Sequence, residues 1–216
     1  MPLARRTASR LEAIVIVVSI VALIAVLPER YHILPNWVAY VGIGFIIVPI
    51  LGGALINLGG AWERVERAAE FLAVGIALVL NTCNLLVAAY DLVKNPGKLD
   101  PVRLFYTSIG IWSGNVLIFT LLYWLVDRGG PDARVNRLVR YPDFVFPAMD
   151  DDEYAPANWQ PSMIDYLFLG FTTSTAFSPT EAMPFTPRAK LLMVIQSTIA
   201  LITIAIVAAR TINILK

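Results

Sequence analysis

Between Lys190 and Arg210 the chain carries no charged residue, and Leu191 to Ala209 is almost wholly apolar, interrupted only by Gln196, Ser197, Thr198 and Thr203. At about 1.5 Å per residue of helix, such a run reaches across the roughly 30 Å hydrocarbon core of a bilayer. In hydrocarbon each backbone N–H and C=O must be satisfied within its own segment, so the run is expected to be an α-helix. Four earlier runs have the same character. They are Leu11 to Leu27, closed by Pro28; Trp37 to Leu58, with a kink expected at Pro49; Ala69 to Val93; and Val102 to Val126. With 57% hydrophobic and 15% charged residues, the chain reads as an all-α polytopic membrane protein.

Away from their ends, the polar residues of these runs are amides and hydroxyls. Asn57, Asn81, Asn84 and Asn115 lie inside or at the ends of apolar stretches, and Asn81 and Asn84 share a helix face. Such amides join neighbouring helices at a gain of about 0.6–2 kcal/mol each, the alternative being a permeant path. The absence of an ion at the middle of any run argues against a proton-coupled transporter or a voltage sensor. Gly110-x-x-x-Gly114 permits close helix approach, and Trp62 is placed as an interfacial anchor before the charged stretch through Arg67. On the last run Gln196, Thr203 and Arg210 recur every seven residues and share a stripe, which either lines an axis or meets another helix.

Several function classes are excluded or left without support. A net charge of +1 suggests no nucleic-acid partner. Cys83 is the only cysteine and His32 the only histidine, so no intrachain disulfide and no Cys/His metal site is expected, and no cofactor. Arg5, Arg6 and Arg10 precede the first run without a cleavage site after it, so that run is read as a retained span. No nucleophile–base pair or phosphate loop supports an enzyme. The sequence shows no internal repeat.

Residues 127–161 are the longest polar stretch. Gly129-Gly130-Pro131 breaks the preceding helix, and Val135 to Val139 is expected as an amphipathic turn on the membrane surface, with Arg134, Arg137 and Arg140 outward. Asp150-Asp151-Asp152-Glu153 reads as a solvated loop, the alternative being a cation-concentrating mouth.

Ser162 to Pro187 is different. Ser162 and Asp165 have capping-box spacing, and Met163, Tyr166, Leu167 and Gly170 fall on one helical face. The helix is expected to end near Phe177, ahead of Ser178-Pro179, which is too short for a span. Thr186 and Pro187 then form the cap and first position of the last helix. A short helix, an irregular return and a spanning helix predict a re-entrant loop, and so five transmembrane helices plus one re-entrant helix.

Asp165-Tyr166-Leu167-Phe168 with Phe171-Thr172-Thr173-Ser174-Thr175 resembles the pore helix of tetrameric potassium channels, Pro184-Phe185-Thr186-Pro187 resembles the exit from their filter, and Val207-Ala208-Ala209-Arg210 resembles the end of their inner helix. The resemblance covers about the last third of the chain. It implies a homotetramer in the plasma membrane, with lipid and monovalent or other small ions as partners. It divides the chain into an N-terminal membrane region, 1–101, and a pore-domain-like region, 102–216. The filter-like or constriction segment would be Thr173, Ser174, Thr175, Ala176, Phe177, Ser178, Pro179 and Thr180, with Gln196, Thr203 and Arg210 as axis-lining candidates. The family's T-V-G-Y-G-D is replaced by Thr175-Ala176-Phe177-Ser178-Pro179-Thr180. Phe177 and Pro179 cannot reproduce the glycine torsions that aim carbonyls at an axis, so potassium selectivity is expected to be absent. A non-conducting pseudo-channel serving as a scaffold or partner subunit is the alternative. Orientation is in conflict: counting Lys and Arg in the loops favours a cytoplasmic N-terminus, whereas the resemblance implies the reverse.

Overall fold

The computed structural model describes residues 18–19, 59–94, 101–135, 141–149, 159–176 and 182–214. The two expected spans before residue 59 lie outside these, apart from Val18 and Ser19, which are helical. The elements in order are α1 (Gly59–Lys94), α2 (Pro101–Val126), a 3-10 turn (Asp127–Gly129), α3 (Pro131–Val135), β1 (Phe144–Val145), a second 3-10 turn (Pro147–Met149), α4 (Met163–Thr175), β2 (Met183–Pro184) and α5 (Pro187–Ile214). Among the described residues, three stretches are long and apolar enough to cross a membrane: Arg67–Lys94, Leu104–Gly129 and Pro187–Ala209.

The expected boundaries hold where a breaker sets them. α2 stops at Val126, where the chain passes through Arg128, Gly129 and Gly130 at φ of 51°, 79° and 97°. A side chain at Gly130 would suffer the positive φ and also meet the Leu125 carbonyl at 3.1 Å. α1 instead begins at Gly59, well before Ala69. The charged segment Glu63 to Arg67 continues the helix because Glu and Arg are good helix formers and no breaker follows until Asn95-Pro96-Gly97.

α2 is the central helix, packed by α1, α4 and α5. α1 runs antiparallel to it: Arg67 lies beside Gly130, and Asn81 Nδ2 donates to the Ile111 carbonyl at 3.2 Å. That bond is the interhelical amide contact expected of this residue. α4 is also antiparallel to α2, with Tyr166 at Asp127, Gly170 at Val116 and Thr120, and Ser174 at Trp112. The shared core is built from Ile111, Ile118, Phe119, Leu125, Tyr166, Leu169, Met193 and Ile199. The outer faces of α1 (Leu72, Ile76, Val79, Leu86) and α5 (Leu191, Val194, Leu201, Ile204) stay exposed and apolar, as helices in contact with lipid require.

One feature departs from a purely α reading. β1 and β2 form an antiparallel pair, Phe144 opposite Pro184 and Val145 opposite Met183. Two residues cannot show an alternating pattern, and Pro184 argues locally against a strand, so nothing in the sequence marks this pairing. It brings the chain after α4 back to the end of the bundle from which α4 starts.

Candidate functional site

α4 is held in the groove between α2 and α5 by two separate polar regions. At its start, the Ser162 amide and hydroxyl both donate to Asp165 Oδ2, at 2.6 and 2.7 Å, which is the expected carboxylate half of the capping box. One turn on, the Tyr166 hydroxyl donates to Asp127 Oδ2 at 2.7 Å. The other oxygen of Asp127 accepts the amides of Asp143 at 2.8 Å and Phe144 at 3.3 Å. A single buried carboxylate thus joins the end of α2, the entry to β1 and the first turn of α4.

Arg134 completes this region and corrects an expectation. It is only 6% exposed, turned inward rather than out to a membrane surface. Its Nη1 donates to the carbonyls of Trp124 at 2.5 Å and Asp127 at 3.0 Å, groups that the end of α2 would otherwise leave open. The guanidinium stands over the rings of Trp124 and Tyr166, at 5.5 and 5.3 Å. The left-handed turn at Arg128–Gly130 redirects the chain so that α3 folds back under α2, which no helical-periodicity argument foresees.

Asp143 ties down the return limb. Arg188 donates to it through Nε at 2.5 Å and Nη2 at 2.6 Å, Thr186 Oγ1 donates at 2.5 Å and the Arg128 amide at 3.0 Å. The Asp143 carbonyl in turn accepts from the Phe185 amide at 2.8 Å. Burial alone would raise the pKa of this carboxyl. The Arg188 and Thr186 bonds, the charge of Arg188 and the Arg128 amide outweigh burial and hold it below its ordinary value. Thr186 also accepts the Ala189 amide at 3.3 Å, capping α5 as its position before Pro187 predicts.

The second region lies in the middle of the apolar body and contains no ion. Gln196 of α5 is fully buried. Its Nε2 donates to the Gly170 carbonyl at 2.7 Å and to Ser174 Oγ at 2.8 Å, and its Oε1 accepts from the Tyr123 hydroxyl. Asn115 Nδ2 donates to the Gln196 carbonyl at 3.1 Å. The last carbonyls of α4 also receive side-chain donors, Trp112 Nε1 to Ser174 at 3.5 Å and Ser197 Oγ to Thr173 at 3.4 Å. A helix that ends among apolar residues needs such donors, because water is not there to supply them. Close approach is possible because residue 170 is glycine: a Cβ there would sit 2.9 Å from Thr120 Oγ1 and 3.1 Å from the Val116 carbonyl.

The residues singled out in the sequence are placed as follows. Thr173 and Ser174 are buried in α4, facing α2 and α5. Thr175 is exposed and returns its hydroxyl to the Phe171 carbonyl at 2.9 Å. Ala176 closes the helix through its amide to the Thr172 carbonyl at 2.8 Å. Phe177, Ser178, Pro179 and Thr180 lie outside the described residues, as does the acidic run 150–153. Gln196 and Thr203 are both buried within the single chain, and Thr203 bonds the Ile199 carbonyl at 2.8 Å. Arg210 belongs to the last turns of α5. Asp127, Asp143, Tyr123 and Arg188 are not marked by the sequence reading, nor is the hydrogen-bonding role of Tyr166. The available signal was an acid directly after one apolar run and a base directly before another. Among the described residues no cluster of His, Cys, Asp or Glu is arranged to hold a metal ion.

The described residues define a helical membrane-type body with a short helix inserted beside its central helix. Comparison with protein-family models, curated proteins and solved structures found no match for this chain.

Proposed function

We propose that this is an integral membrane protein in which residues 162–186 form a re-entrant segment, assembled as a homotetramer that passes small ions without potassium selectivity. One observation carries the reading. α4 starts beside Asp127, descends along α2 to the level of Trp112, well inside the Leu104–Gly129 stretch, and the chain is back beside Asp143 by β2. A short helix that starts at one end of the bundle and ends at depth, in a chain that is back at the starting end by β2, supports a re-entrant loop. The inner turn carries the hydroxyl-rich Thr173–Thr175, and the negative end of the helix dipole there favours cations. Phe177 is the proposed constriction.

A second reading, a non-conducting scaffold with the same frame, is favoured by α5. Its polar residues Gln196 and Thr203 are turned inward, leaving an exposed face that is mostly aliphatic.

Two experiments test these readings. Single cysteines at Gln160, Ala176 and Met183, in a Cys83→Ser background, are probed with a membrane-impermeant maleimide from each side. Gln160 and Met183 are expected to react from the same side. Reaction from opposite sides means that α4 crosses and removes the re-entrant reading. Ion flux into liposomes, wild type against Phe177→Ala, then separates the two functions. A leak that grows in the variant supports a plugged pore, whereas no flux in either protein at matched tetramer yield leaves the scaffold. Strong preference for potassium over sodium would overturn the claim of non-selectivity.

A further inference from the structure

The middle polar region leaves two buried oxygen atoms without a partner in the protein: Asn115 Oδ1 and Thr173 Oγ1. The two residues are 0% and 1% exposed. Both stand against the same turn of α5, since Asn115 bonds the Gln196 carbonyl and Ser197 bonds the Thr173 carbonyl. The orientation of Asn115 is set by chemistry: only its NH₂ can serve the Gln196 carbonyl, so the acceptor oxygen must face the other way.

Thr173 differs from six other helix threonines. Thr82, Thr120, Thr172, Thr175, Thr198 and Thr203 each return the hydroxyl to the carbonyl four residues earlier. For Thr173 that carbonyl belongs to Leu169, which already accepts from Thr172 at 3.1 Å. Its hydroxyl makes no such return bond and stays in the junction of α2, α4 and α5, close to the Tyr123 hydroxyl.

We propose that the α2–α4–α5 junction binds a single buried water molecule, which donates to Asn115 Oδ1 and accepts from the Thr173 hydroxyl. A desolvated acceptor and a desolvated hydroxyl are each costly, and water is the smallest group that serves both at once. A water here would fill out the polar set of Tyr123, Gln196 and Ser174 behind the inner end of α4. The proposal stands whether or not the protein conducts.

Thermal unfolding of the full chain in nanodiscs tests it by sign. Thr173→Val keeps the shape and removes the hydroxyl. With water bound, the midpoint falls by about 2–4 °C, because Asn115 Oδ1 is stranded. In an Asn115→Leu background the same substitution is expected to be harmless, because no acceptor is left to strand. Without water, valine removes an uncompensated hydroxyl and the midpoint rises, which overturns the proposal. If the variants do not fold, the wild type still decides: a water-to-amide NOE at the labelled Asn115 side chain is expected, and its absence counts against the site. Replacing sodium and potassium by N-methylglucamine should leave the midpoint unchanged; a fall would mean that an ion occupies the junction instead of water.

Discussion

At the entry end of α4 the holding groups are carboxylates and guanidinium ions: Asp127, Asp143, Arg134 and Arg188. In the middle of the bundle they are neutral: Gln196, Asn115, Ser174, Tyr123 and Trp112. Both regions fix the same short helix, and both satisfy backbone groups that a helix end or an irregular chain leaves open. The difference follows from position. Moving an ion from water into a low-dielectric interior costs several kcal/mol, and the cost is recovered only with good geometry and complete hydrogen bonding. The entry end meets that condition through bidentate and backbone bonds and lies at the end of the apolar stretch. In the middle a carboxamide does the same work, presenting donor and acceptor from one side chain at far lower desolvation cost.

The largest effect should come from Asp127→Ala. It strands the Asp143 and Phe144 amides and the Tyr166 hydroxyl, each of which costs roughly 1–3 kcal/mol when buried without a partner. Folded yield and unfolding midpoint in detergent should both drop sharply. A midpoint close to wild type would mean that the entry end does not depend on its carboxylate.

A charge placed in the neutral region should come next. Gln196→Glu is expected to cost about 3 kcal/mol, in line with an ionisable group at the centre of a spanning helix, and Gln196→Leu roughly half of that. Equal effects on denaturant unfolding would erase the distinction between the regions.

Gly170→Ala tests packing rather than polarity. The added methyl meets Thr120 Oγ1, whose position is held by its bond to the Val116 carbonyl, so α4 must shift at a cost of about 1–3 kcal/mol. Adding Thr120→Ala, which removes that hydroxyl, should recover only part of the loss, because the Val116 carbonyl at 3.1 Å remains in place.

The smallest effect is the pH response of Asp143. Its pKa in the folded state lies below its ordinary value of 3.8, so its contribution is fully present above that value and is lost as pH falls through the depressed one. The unfolding midpoint should therefore be flat from neutral pH down to about 4 and fall below it. Asp143→Asn should start lower and fall less on acidification. A variant with the acid response of the wild type would assign that response to other groups.

The sequence by itself determined the helices. Apolar length and flanking breakers placed α2, α5 and most of α1, and capping residues with the short run before Ser178-Pro179 placed α4, because these signals are local to each segment. The interhelical role of Asn81 was also legible, since an amide inside an apolar helix has few other uses. Which helix faces which was not. Gln196 looked equally suited to an open axis or a helix contact, and only the seating of α4 between α2 and α5 turned it inward onto Gly170 and Ser174. Arg134 looked like a surface residue until the left-handed turn at Arg128–Gly130 carried it under α2. Asp127, Asp143 and Arg188 are far apart along the chain and meet only because the β1–β2 pairing returns the loop to the start of α4. Desolvation and Coulomb energies depend on those meetings in space, so the polar anchoring of the site belongs to the tertiary structure.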